Sequence, residues 1–151
     1  GMEDAEAWQT LNAELTARKP ARESRDASLA LGRRFLRLVA SLIADSRLNL
    51  PGSVHTATAF GLVSGVLGID QAGSAAACLH QSLYGAISAC QRLLPLGQSA
   101  ASALLWELKP RILEVVADAA RRDLDDLWNP QPLLEMASMR HPRLSTRLFI
   151  S

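Results

Sequence analysis

The sequence predicts an all-α fold, a single-domain antiparallel helical bundle with central buried Gly- and Ala-rich helices and an extended C-terminal tail. Two observations predict it. Of the 151 residues 48% are hydrophobic but only 5% aromatic, so the core has to be built from Leu, Ala, Val and Ile, the palette of packed helices rather than strands. Apolar residues also recur at three- and four-residue steps between the breakers Pro20, Pro51-Gly52 and Pro95. A chain of this length buries roughly two thirds of the surface it exposes when unfolded, so one core is within reach.

Taken in order, Ala7, Trp8, Leu11 and Leu15 describe an amphipathic helix from Asp4 to about Arg18, ended by Pro20. A second helix, from about Arg22 to Asp45, turns Leu29, Phe35, Leu36, Val39 and Leu42 or Ile43 to the core, with Arg25, Arg33, Arg34 and Arg37 around the rest. Between Asn49 and Trp106 only Asp70 and Arg92 are charged, His aside, so two helices there, about Ser53–Leu67 and Ala72–Leu93, are expected to be buried nearly all round. Gly61 and Gly65 lie one turn apart on the first. Each costs about 1 kcal/mol relative to Ala in a helix, which calls for a second helix packed closely on them. After the turn at Pro95-Leu96-Gly97 a helix resumes at Gln98 or Ser99, and Pro110 should kink or break it. A charged segment, Asp118 to Asp126, precedes a short helix from Gln131 to Ser138 and the tail SMRHPRLSTRLFIS.

Composition excludes several classes. The net charge of +1 argues against nucleic acid as a partner, and the Arg-rich second helix lacks the interleaved aromatics that stack bases. The uncharged central runs contain Asn49, Pro51, His55, His80 and several Ser and Thr, too polar for membrane spans. Cys78 and Cys90 form no CxxC pair and read as small buried residues, not zinc ligands or a disulfide. The acidic start Gly1-Met2-Glu3-Asp4 is no signal peptide, so a cytoplasmic location is expected. His55, His80 and His141 are widely separated, with no i, i+4 metal pair, and no nucleophile motif or phosphate-cradling Gly loop occurs. These readings point to a binding protein, not an enzyme, with no resident cofactor or metal. The tail, with Arg140, Arg143, Arg147 and a closing Leu148-Phe149-Ile150, is the first candidate surface.

Four stretches then carry a resemblance: RESRDASLALGRRFLRL (22–38), HTATAFGLVSGVLGI (55–69), RLLPLGQ (92–98), and ASMRH with TRLF near the terminus. Together they resemble the urease accessory protein family UreF, in the family's order and approximate spacing. The resemblance implies an all-helical, cytoplasmic, non-enzymatic assembly factor that dimerises and binds UreD (also called UreH). With it, such a protein recruits the GTPase UreG, modulates it, and helps load nickel onto apo-urease. Nickel is then the cargo of the complex.

The resemblance also implies partner-binding residues. They are Arg140, His141, Arg147, Leu148 and Phe149 in the tail, Arg92, Pro95, Gly97 and Gln98 at the turn, and Arg25 and Arg33 on the second helix. The tail departs from the family at Pro142, Ser145 and Ile150, where a Glu, a Tyr and an Arg are usual. The family's opening segment has no counterpart, so roughly the first third of an ordinary member is expected to be missing and to leave apolar surface on the central helices. A second expectation is a shortened UreF-like paralogue, a structural or regulatory dimer without urease maturation activity.

Overall fold

The computed structural model describes residues 2–49, 52–126, 136, 137, 139 and 140, with side chains from Ala7 onward. The described residues form six α-helices and two short 3-10 turns, with no strand among them. The helices are α1 (Met2–Ala17), α2 (Arg22–Ile43), α3 (Thr56–Leu67), α4 (Gln71–Leu93), α5 (Gln98–Glu107) and α6 (Lys109–Ala119). The expected all-α class is therefore what the chain adopts. The break at Pro110 falls where its chemistry requires: Leu108 ends α5 and caps α6, and Pro110 lies in the first turn of α6, where its missing N–H has no intrahelical partner to lose. Most of the expected short helix and of the tail lies outside the described residues.

By its internal contacts the chain divides into two compact units, one holding the residues up to Val66 and the other Leu67–Leu127. The core of the first is Leu36, Leu48, Val54, Ala59 and Val63, with Trp8, Phe35, Val39, Ala40, Leu62 and Val66 packed against it. The rings of Phe35 and Phe60 stack at 4.5 Å between α2 and α3. In the second unit α4, α5 and α6 pack on one another, burying Ile87, Ala101, Ile112 and Val116. Ile112 and Val116 stand one turn apart, which is how α6 presents a single inward stripe.

Three sequence expectations are corrected. First, Leu42 is 73% exposed and Ile43 is exposed rather than in the core. The helix includes both residues and ends at Ile43, with Ala44 in the left-handed region (φ 48°) as its cap. The chain then turns through Ser46–Leu48, capped by the Asp45 carboxylate accepting from the Arg47 amide, and buries Leu48 in the core instead. Second, α3 starts at Thr56, not Ser53: residues 53–55 stay outside the helix, with Val54 and His55 buried.

Third, the central helices are not buried all round. Leu67, Ile69, Tyr84 and Leu93 are exposed, and a Cβ built on Gly61, Gly65 or Gly85 would meet no atom within 4 Å. Ala, Ser, Gln and Gly are small or polar enough to face water without a charge, so scarcity of charge overstated burial. The close approach is at Gly32 on α2, where a Cβ would fall on the Val54 carbonyl oxygen and lie 2.7 Å from the His55 carbonyl carbon. Only a glycine admits that backbone crossing. Asp70, one of two charges in the central stretch, acts locally. Its carboxylate caps α4 by accepting from the Gly73 amide at 2.6 Å.

Candidate functional site

The Gly32 crossing delivers His55 to the interior, where its side chain is fully buried. Each of its polar atoms finds a partner. Its backbone amide donates to Asn12 Oδ1 at 2.8 Å, and Nε2 and Nδ1 lie 3.0 Å from the hydroxyls of Thr16 and Ser28. The Thr16 hydroxyl already donates to the Asn12 carbonyl at 2.9 Å, so it accepts from His55 and the proton sits on Nε2. Ser28 then donates to Nδ1. Burial, followed by the charges of Lys19 and Arg25, holds the imidazole below the ordinary histidine range, so it is neutral.

Neighbouring bonds extend the network. Asn12 Nδ2 donates to the Ser53 carbonyl at 2.9 Å, and the Thr56 hydroxyl donates to the Ser28 carbonyl at 3.0 Å. The sequence alone shows His55 only as a histidine without a metal-binding partner. The available signal is Asn12 and Thr16, one turn apart on α1, supplying two polar groups on one side of an otherwise amphipathic helix.

Two of the residues singled out on α2 are engaged within the first unit. Arg25 Nη1 donates to the Lys19 carbonyl at 2.9 Å, tying the loop after α1 to α2. Arg33 Nη2 donates to the Ser53 hydroxyl at 2.9 Å and braces the segment beside the Gly32 crossing. Leu31, Leu38 and Leu42 are exposed and follow one another at seven and four residues, forming an apolar stripe along α2 with no covering element among the described residues.

Arg92, Pro95, Gly97 and Gln98 come together on one turn of the second unit. Arg92 stands in the last turn of α4 and Gln98 opens α5. Gln91 Nε2 donates to Gln98 Oε1 at 3.1 Å, and the Leu96 amide to the Leu94 carbonyl at 2.7 Å, which closes the turn. The turn carries Leu93 and Leu94 exposed beside it. On α5, Trp106 is 70% exposed, with the Lys109 ammonium 3.7 Å from its ring centroid.

Arg140 is helical and exposed. His141, Arg147, Leu148 and Phe149 lie outside the described residues. Cys78 is half-buried, which pushes its thiol pKa up, whereas Cys90 is exposed, not buried as the sequence predicts; both are free thiols. Among the described residues no His, Cys, Asp and Glu gather into a group of three or more that could hold a metal, and no helix is long and apolar enough to cross a membrane.

Among the described residues, leucine and tryptophan side chains stand uncovered on several helices. The family model for UreF matches residues 1–109. The urease accessory protein UreF of Trichodesmium erythraeum is 29% identical over 154 residues, covering 97% of this chain and 66% of its own length. That of a Picosynechococcus species is 31% identical over 155 residues, covering 98% of this chain and 69% of its own. That of Sporosarcina pasteurii is 32% identical over 137 residues, covering 85% and 68%. The chain belongs to the UreF family. It spans about two thirds of the length of these relatives.

Proposed function

We propose that the chain is a urease accessory protein that scaffolds nickel insertion. In this reading it joins UreD (UreH) and the GTPase UreG in one complex, modulates the GTPase, and acts on apo-urease as a homodimer in the cytoplasm. Nickel is handled by the complex. Membership of the UreF family carries the proposal, since the matched relatives bear the name urease accessory protein.

The surface supports a binding role in two ways. The turn holding Arg92, Pro95, Gly97 and Gln98 is closed by its own hydrogen bonds, with Leu93 and Leu94 exposed alongside. An apolar and cationic turn of this kind suits a partner that supplies apolar contact and a carboxylate. Arg25 and Arg33 act at one remove, by bracing the loops around α2. The tail residues Arg140, His141, Arg147, Leu148 and Phe149 are a docking segment for UreD (UreH), in which Arg140 makes a charge-assisted hydrogen bond.

Co-purification with UreD (UreH) and UreG, together with urease activation in a strain lacking its own UreF, tests this reading. Capture of both partners and restored urease activity are expected. Arg140→Ala should reduce both. A chain that captures neither partner where an ordinary UreF does would end the proposal, and unchanged capture and activation by the variant would remove Arg140 from the docking segment.

A further inference from the structure

We propose that His55 is an acid-released latch on α1: neutral, it joins Thr16 of α1 to Ser28 of α2 through its two ring nitrogens, and protonated, it lets α1 leave the first unit. This goes beyond the nickel-delivery reading and does not depend on it.

Three hydrogen bonds link α1 to the segment before α3: Asn12 Nδ2 to the Ser53 carbonyl, the His55 amide to Asn12 Oδ1, and His55 Nε2 to Thr16. Two of them involve His55. Its other nitrogen, Nδ1, accepts from Ser28, which also receives the Thr56 amide at 3.4 Å. A second ring proton would meet the Ser28 hydroxyl head-on. That hydroxyl would have to reverse, leaving its own proton to find a new acceptor in a closed interior.

The surrounding charges do not favour an imidazolium. Both ring nitrogens face hydroxyl oxygens. Lys19, after α1, and Arg25, on α2, both oppose a positive ring. On α1 the Glu14 carboxylate is taken by Arg18 at 2.7 Å. On α2 Asp26 is paired with Arg22 at 3.4 Å, and Glu23 lies in the first turn. Arg33 adds a further positive group at Ser53. Burying a charge among these groups is costly, whereas the released state hydrates it.

The sign of the pH dependence follows. The latched state holds fewer protons than the released state, so latching is fully favoured above the ordinary histidine pKa of about 6.5 and weakens as pH falls below it. The whole 151-residue chain is suited to the test, by hydrogen exchange at about pH 7.5 and about pH 5.5 with protection corrected for intrinsic rates. Protection of the α1 amides at residues 10–17 should fall about tenfold between the two, as one ordinary histidine taking up a proton on release requires, and should lie below that of α3 at both, because α1 is released without unfolding the rest. In His55→Gln, which offers an amide donor but cannot titrate, that pH dependence should vanish.

The latch is overturned if α1 protection is unchanged in the wild type, if α1 and α3 share one protection at both pH values, or if His55→Gln keeps the dependence. Should the variant fail to fold, an NMR titration of the wild-type imidazole decides. His55 titrating below the ordinary range, with α1 protection already falling from about pH 6.5 downward, supports the latch. His55 titrating while α1 stays protected sinks it.

Discussion

Gly32 on α2 and the pair Gly61 and Gly65 on α3 are all helix-interior glycines, yet they stand in opposite surroundings. At Gly32 the backbone of Val54 and His55 lies where a side chain would be. At Gly61 and Gly65 there is open space. One kind of glycine is required by contacts inside the chain, and the other by nothing the described residues supply. A glycine in a helix therefore marks a close approach only when the approaching segment is known, which a spacing of four residues does not reveal.

Substitution sharpens the contrast. Gly32→Ala forces a methyl group against backbone that cannot swing aside, so the first unit should lose about 3 kcal/mol or more in urea unfolding. A loss below about 1 kcal/mol would show that the crossing yields. Ala44 is the reverse case, an alanine in the left-handed conformation that glycine adopts freely. Ala44→Gly should stabilise by about 1 kcal/mol, read as a higher urea midpoint with an unchanged slope.

Gly61→Ala and Gly65→Ala should each stabilise by about 0.8 kcal/mol, because the methyl group meets nothing and the helix gains propensity. A melting temperature that falls instead would mean another helix does rest on that face in solution. Sedimentation of the same variants would then report whether that helix comes from a second copy.

Much of the architecture was legible in the sequence because helices declare themselves locally. The 3.6-residue recurrence on α2 and α6, Pro110 in the opening turn of α6 and the run RLLPLGQ each carry their meaning within a few residues. What escaped was set by residues distant in sequence. His55 acquires its role from Asn12, Thr16 and Ser28, and Leu48 displaces Leu42 from the core only because the chain turns at Ala44. The candidate binding residues divide in the same way. The turn from Arg92 to Gln98 could be read directly as one patch, but the internal work of Arg25 and Arg33 needed the positions of Lys19 and Ser53.

The difference between the two cysteines makes the second unit addressable. A thiol reagent at neutral pH should modify the exposed Cys90 ahead of Cys78, whose half-buried sulfur is disfavoured as a thiolate. Cys90 precedes Arg92 by two residues and its carbonyl receives the Leu94 amide, so a fluorophore or photocrosslinker there sits at the edge of the candidate binding turn. No engineered cysteine is needed to ask what lands on it.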